Sequence, residues 1–272
     1  MHYLDHAATT PVPAAVASVM TKVLTQSYGN PSAQYALGRQ ARVLVDSSRA
    51  VIARALACRP EQVVFTSCGT EGDNWAIRAA LHQNRRVGKH IVTTAVEHSA
   101  VLQCLKKLEQ EGYAVTYLKP DGAGRVTARQ AAEALREDTA LVSVMLVNNE
   151  TGVRFPVEEI AALLKNRDTL LHTDAVQGFL KMPFTAKSLG ADYITLSAHK
   201  IGGPKNVQPL LYGGGQESGL RPGTEPTAQI AGFAKAVELR LEDLEAVRQH
   251  LASCRAYALE RLGTIPDLQF IG

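Results

Sequence analysis

The chain has 272 residues, a net charge of +3 and 46% hydrophobic residues, enough to bury the core of one large domain or of one domain and part of another. The charge is mild, no Lys/Arg block occurs and no apolar run reaches about 18 residues, so neither direct nucleic-acid binding nor a membrane span is expected. Cys58, Cys68, Cys104 and Cys254 form no CxxC pair and the amino end has no basic-then-apolar signal pattern, which predicts a reducing, cytoplasmic setting and no metal site.

Taken in order, residues 1–14 read as an N-terminal arm. A helical pattern over 14–24 is broken by the turn residues Tyr28-Gly29-Asn30-Pro31-Ser32. Residues 38–57 are amphipathic, with Arg39, Arg42, Arg49 and Arg54 assigned to the wet side. From residue 62 the rhythm is strand, turn, helix. Strands are predicted over 62–66, 91–94, 113–118, 141–147, 169–173 and 193–196. Helices are predicted over 69–82, from about 97, over 127–135, over 156–165, and in the interval before Asp192. The continuously apolar run 141–147 suits a strand covered on both faces. The expectation is an α/β fold, a mainly parallel sheet sandwiched by helices, occupying 15–245. Residues 213–224 read as a flexible glycine-rich loop and 228–262 as helix. Residues 246–272 read as the start of an incomplete C-terminal small domain.

Parallel strands joined by helices bring their carboxyl ends to one edge, where ligands bind. Asp174 ends one predicted strand and Lys200 follows another. Such a pair suits pyridoxal 5'-phosphate: the amine condenses with the aldehyde, and the carboxylate keeps the pyridine nitrogen protonated. Gly69 and Thr70, at a helix start, offer N–H groups and a hydroxyl to a phosphate. His98 is suited to lie on the ring and exchange protons, and Asn149 and Gln177 to hydrogen-bond its phenolic oxygen. Ser197 and His199 flank the lysine and complete the phosphate cup. Each residue alone has a plainer reading, as ion pair, helix cap, surface His or turn residue. The ordered set, one group per strand end, favours the cofactor.

Eight blocks carry a resemblance: Tyr3-Leu-Asp-His-Ala-Ala-Thr-Thr10, Tyr28-Gly-Asn-Pro-Ser32, Thr66-Ser-Cys-Gly-Thr-Glu71, Glu97-His98, Asn148-Asn-Glu-Thr-Gly152, His172-Thr-Asp-Ala-Val-Gln177, Ser197-Ala-His-Lys200 and Gly215-Gln-Glu-Ser-Gly-Leu-Arg-Pro-Gly-Thr224. Over residues 3–235 the chain resembles the cysteine desulfurases, class V members of the fold-type I pyridoxal-phosphate enzymes. The resemblance implies that Lys200 attaches the cofactor and that Asp174 pairs with its ring nitrogen. It further implies that His98 stacks and shuttles protons, and that Thr224 arrives from the partner subunit of a homodimer. The activity it implies converts L-cysteine to L-alanine and passes persulfide sulfur to an acceptor or iron–sulfur scaffold protein, or to tRNA thiolation. Rival readings are another class V enzyme, such as a selenocysteine lyase or aminotransferase, and a non-catalytic dimeric scaffold. Three departures stand out. Tyr35 replaces a family His, Cys68 replaces a Gly of the phosphate cup, and only Asn206-Val-Gln208 separates Lys205 from Pro209, where the family has a strand and hairpin. The family's nucleophilic cysteine lies on a C-terminal loop that these 272 residues do not include. None of the four cysteines is assigned that role.

Overall fold

β-Branched and apolar runs between residues 90 and 195 form five strands: β1 (His90–Thr94), β2 (Ala114–Leu118), β3 (Thr139–Ser143), β4 (Leu170–Asp174) and β5 (Tyr193–Thr195). They make one parallel sheet in the order β2-β1-β3-β4-β5. The computed structural model describes residues 3–201, 203, 216–266, 268, 270 and 271. The helices are α1 (Ala14–Gln26), α2 (Ala36–Leu56), α3 (Gly69–Gln83), α4 (Ser99–Gln110), α5 (Ala128–Ala134), α6 (Val157–Leu164), α7 (Ala186–Leu189) and α8 (Thr227–Leu262).

Parallel neighbours need crossovers, and α4 to α7 supply them. The two-residue alternation of a strand sends Ile91 and Leu141 to α3 and α4, and Val92, Val142 and Leu171 to α5 and α6. Both faces are therefore covered, and β1 and β3 are buried along their whole length. A separate cluster joins Val45, Ile52 and Leu56 of α2 to Ile230, Ala234 and Val237 of α8 around Phe65 and Phe179. Val23 of α1 meets Ala228 and Ala231 of α8. Among the described residues no helix is long and apolar enough to cross a membrane.

Some elements differ from expectation. Of the strand expected over 62–66, Val63 is extended, but residues 63–66 join no strand among the described residues. Their polar groups are taken by side chains: Arg49 Nη1 donates to the Val63 carbonyl at 2.5 Å, and the Phe65 N–H donates to Glu217 at 2.9 Å. Arg49, expected on the wet side of α2, is only 12% exposed and pairs with Glu217. Within the loop expected over 213–224, Glu217 and Ser218 form a left-handed turn, at φ 49° and 58°. The helical interval before Asp192 holds only the single turn α7. Ala57, in the left-handed region at φ 52°, closes α2. The short connection over 205–209 lies outside the described residues.

Candidate active site

Along its α3-covered face the sheet changes from apolar to polar. Ile91, Leu141, Leu170 and Tyr193 form the apolar part. Two residues further along each strand stand Thr93, Ser143, His172 and Thr195, all buried, with Asp174 beyond them at the end of β4. The Thr93 hydroxyl donates to the Ser143 carbonyl at 2.8 Å. His172 then sits between two hydroxyls, Nδ1 at 2.9 Å from Ser143 Oγ and Nε2 at 3.0 Å from Thr195 Oγ1. Helix α3 lies close over this end, because a Cβ on Gly72 would stand 2.9 Å from Thr195 Cγ2. The next residue, Asp73, is buried with Oδ1 3.6 Å from His172 Nε2, and that oxygen has no hydrogen-bond partner.

Asp174 accepts the Val176 N–H at 2.9 Å. Burial and the neighbouring Asp73 push its carboxyl up to about 7, against the opposite pull of the Val176 N–H and Lys200. Glu97, in the turn before α4, accepts the Met145 N–H at 2.9 Å and the Thr94 hydroxyl at 2.7 Å. Its burial drives it up to about 8, with Asp174 and Asp73 adding to the shift. Three buried acids thus act on one another at the strand ends.

Lys200 closes the helical turn Ala198–Lys200 that follows β5. Its Nζ donates to the carbonyls of Ala7 and Ala8. Gln177 Nε2 also donates to the Ala7 carbonyl, at 2.9 Å, while its Oε1 accepts from Lys181 at 2.8 Å. The Thr10 N–H and hydroxyl donate to the His199 carbonyl at 3.0 and 2.8 Å. The N-terminal arm therefore lies across the carboxyl edge. Burial, with Lys200 and Arg240 nearby, lowers Lys181 to about 8.

The first turn of α3 has no side-chain cap, its N-cap Cys68 making none. A Cβ on Gly69 would lie 3.3 Å from Val176 Cγ2 and 3.8 Å from Ser197 Cβ, so glycine lets this turn approach Ser197. Uncapped N–H groups at the positive end of a helix, beside the Ser197 and Thr70 hydroxyls, suit a phosphate. A buried acid and a lysine lie beyond. This donor set fits pyridoxal 5'-phosphate.

His98 is the N-cap of α4, and its Nδ1 accepts the Ala100 N–H at 3.2 Å. In the neutral ring the proton is then on Nε2. Asn149 is half-buried and donates to Glu150 at 2.6 Å, within its own turn. The neighbouring Asn148 organises that turn. Its Oδ1 accepts the N–H groups of Glu150 and Thr151 at 3.0 and 2.9 Å, and its Nδ2 donates to the Val96 carbonyl at 2.9 Å. Thr224 is exposed on the segment leading into α8, close in sequence to Arg221, which pairs with Glu71 at 3.0 Å. Asp73, Glu97, Asn148 and Lys181 stand outside the set of residues that the sequence marks for the site. Of these only Lys181 carried a usable signal, its spacing of four from Gln177.

The sequence profile described as aminotransferase class-V matches residues 2–272. The cysteine desulfurase IscS of Methanosarcina thermophila is 39% identical over 281 residues, covering 99% of this chain and 70% of that protein. The chain belongs to the cysteine desulfurase group of the class-V aminotransferase family. Two solved structures agree. A NifS-like protein superposes with a TM-score of 0.91 at 37% identity, covering 96% of this chain and 75% of that one. A structure titled SspA in complex with cysteine has a TM-score of 0.83 at 37% identity, covering 88% and 72%. Enzymes of this family depend on pyridoxal phosphate, in keeping with the donor set above.

Proposed function

We propose that the protein is a pyridoxal-phosphate-dependent cysteine desulfurase, converting L-cysteine to L-alanine and handing on the sulfur as a persulfide. The observation that carries this reading is the meeting, at one sheet edge, of the uncapped α3 turn beside Ser197 with buried Asp174 and Lys200. When bound, the cofactor supplies an aldehyde for the substrate amine and a ring that takes up electrons. Gly69, Thr70, Ser197 and His199 would hold its phosphate, Asp174 would accept from the ring nitrogen, and Asn149 and Gln177 would serve its phenolic oxygen. Lys200 would attach it through its amine and, with that amine free, would take the substrate Cα proton as general base. His98, whose Nδ1 accepts the Ala100 N–H, would lie against the ring and move protons from Nε2.

A thiolate then attacks the substrate sulfur, and the S–Cβ bond breaks with its electrons left on carbon. Protonation of that carbon, and return of a proton to Cα, give alanine, and the sulfur stays on the attacking thiol, from which an acceptor for iron–sulfur assembly or tRNA thiolation takes it. Among the four cysteines, burial pushes the thiols of Cys58 and Cys104 up and away from the reactive thiolate. Cys68 caps α3 at the phosphate end, and Cys254 is on the exposed second half of α8. None is assigned as the attacking thiol, so these 272 residues alone should bind cofactor without turning over cysteine.

The same reading makes the enzyme a cytoplasmic homodimer, with Thr224 reaching the phosphate of the partner subunit. Exposed Thr224 and the exposed apolar residues Leu24 on α1 and Val43 on α2 support it. It divides the chain into an arm (1–14), a large domain (15–245) and the start of a small domain (246–272). The buried residues of α8 all fall between Ala228 and Val237, in line with that boundary. Borohydride reduction followed by peptide mapping tests the cofactor site: the label should be on Lys200, and a label on Lys205 or on no lysine refutes it.

A further inference from the structure

Asp73 has no part in the chemistry described so far, yet its placement is costly. It is buried at 1% exposure, with one carboxylate oxygen unpartnered. A buried carboxylate without a cation is destabilising by several kcal/mol, so a purely structural slot would favour an amide or an apolar side chain. Its orphan oxygen is 3.6 Å from His172 Nε2, too far for a hydrogen bond but within electrostatic reach. His172 is fixed on its other side by Ser143. It is two residues before Asp174 on β4 and shares its face of the sheet.

We propose that Asp73, docked against His172, is a positioning residue that acts through Asp174 to keep the cofactor's ring nitrogen protonated. This inference rests on the cofactor assignment above. The ionisable groups facing Asp174 come from four elements: Asp73 on α3, Glu97 before α4, His172 on β4 and Lys200 after β5. Lys200 is the one constant cation of the set, and its amine is taken up in holding the aldehyde. Without cofactor Asp174 and Glu97 hold protons themselves; a bound ring nitrogen beside Asp174 takes up the proton there. Negative potential in a site of low dielectric favours the protonated ring, and a second buried carboxylate behind the first strengthens it. Removing Asp73 leaves Asp174 in place with a weaker hold on that proton.

The test substitutes Asp73→Asn, which keeps the shape and removes the charge, and loads both proteins with cofactor labelled with ¹⁵N in the ring. In the ¹⁵N spectrum the ring nitrogen of the variant should lose its proton at a pH about one unit lower than in the parent. Without cofactor, the fall in stability between pH 5 and pH 8 should be shallower in the variant, because Asp174 and Glu97 ionise more easily. A structural role alone moves neither curve. Superimposable ring-nitrogen titrations in two proteins that both hold cofactor on Lys200 overturn the Asp73 inference and leave the cofactor assignment standing. An unaltered protein that takes up no cofactor overturns both. Should Asp73→Asn not fold, Asp73→Ser takes its place in the same ring-nitrogen titration, and a curve superimposable on that of the parent overturns the proposal.

Discussion

Asp174 and Glu97 hold protons that the unfolded chain releases. Their carboxyls rise from ordinary values near 4 to about 7 and about 8 when buried. Between those limits the folded protein binds more protons than the unfolded one, so stability present at low pH is lost as the pH rises through the window. Each fully responding group costs about 1.4 kcal/mol per pH unit. Urea unfolding of the cofactor-free protein at pH 5, 6, 7 and 8 should show a falling midpoint, and Glu97→Gln should flatten the upper half of the curve. Asp174→Ala should retain cofactor on Lys200 yet lose roughly 10²-fold or more in the rate of substrate α-proton exchange, as expected when a charge partner of the transition state is removed. Wild-type rates of substrate α-proton exchange in that variant would make Asp174 merely structural.

At the scale of elements, the segment carrying Thr224 is held by buried charge. Arg49 of α2 meets both oxygens of Glu217 at 2.7 and 2.6 Å, and the Phe65 N–H adds a third bond. Glu217 and Ser218 are in the left-handed region, at φ 49° and 58°, which costs roughly 1 kcal/mol or more each for residues with a Cβ. The ion pair offsets that strain and fixes the turn. Arg49→Met leaves Glu217 buried and unpaired, so it should destabilise by about 3 kcal/mol or more, read as a lower urea midpoint. It should also weaken cofactor retention if Thr224 serves a phosphate. This arrangement was not legible in the sequence, since Arg49 is 168 positions from Glu217. A glycine-rich stretch reads as flexible until its one buried acid finds a partner.

For the molecule as a whole, the exposed position of Thr224 makes a mixing experiment decisive. Combining a Lys200→Ala chain with a Thr224→Ala chain should give heterodimers with one site carrying both defects and one carrying neither. Cofactor occupancy indifferent to mixing would indicate a self-contained site. Much of the architecture was legible because local patterns report it: the run 141–147 announced a doubly covered strand, although β3 ends at Ser143, and Gly, Asn and Asp marked the turns. The run 62–66 misled because alternation shows β-propensity without showing what pairs with it. The placement of Asp174 at the end of β4 and of Lys200 just after β5 was legible from topology. Asp73 and Glu97 were not, because an acid within or just before a helix reads as solvated, and only the packing of α3 on the sheet and of Glu97 against Met145 reveals their burial.

The arm that crosses the sheet edge has a practical side. Lys200 is tethered by backbone carbonyls of Ala7 and Ala8, so its amine is sheltered from casual electrophiles before the aldehyde arrives. In the cofactor-free protein, acylation of Lys200 by an amine-reactive ester should lag behind that of exposed lysines. Deleting residues 1–9 should bring it level with them, as read by mass spectrometry of the acylated peptides. Equal labelling with and without the arm would show that shelter to be absent. An affinity tag fused at the amino end would then matter less than the tether implies.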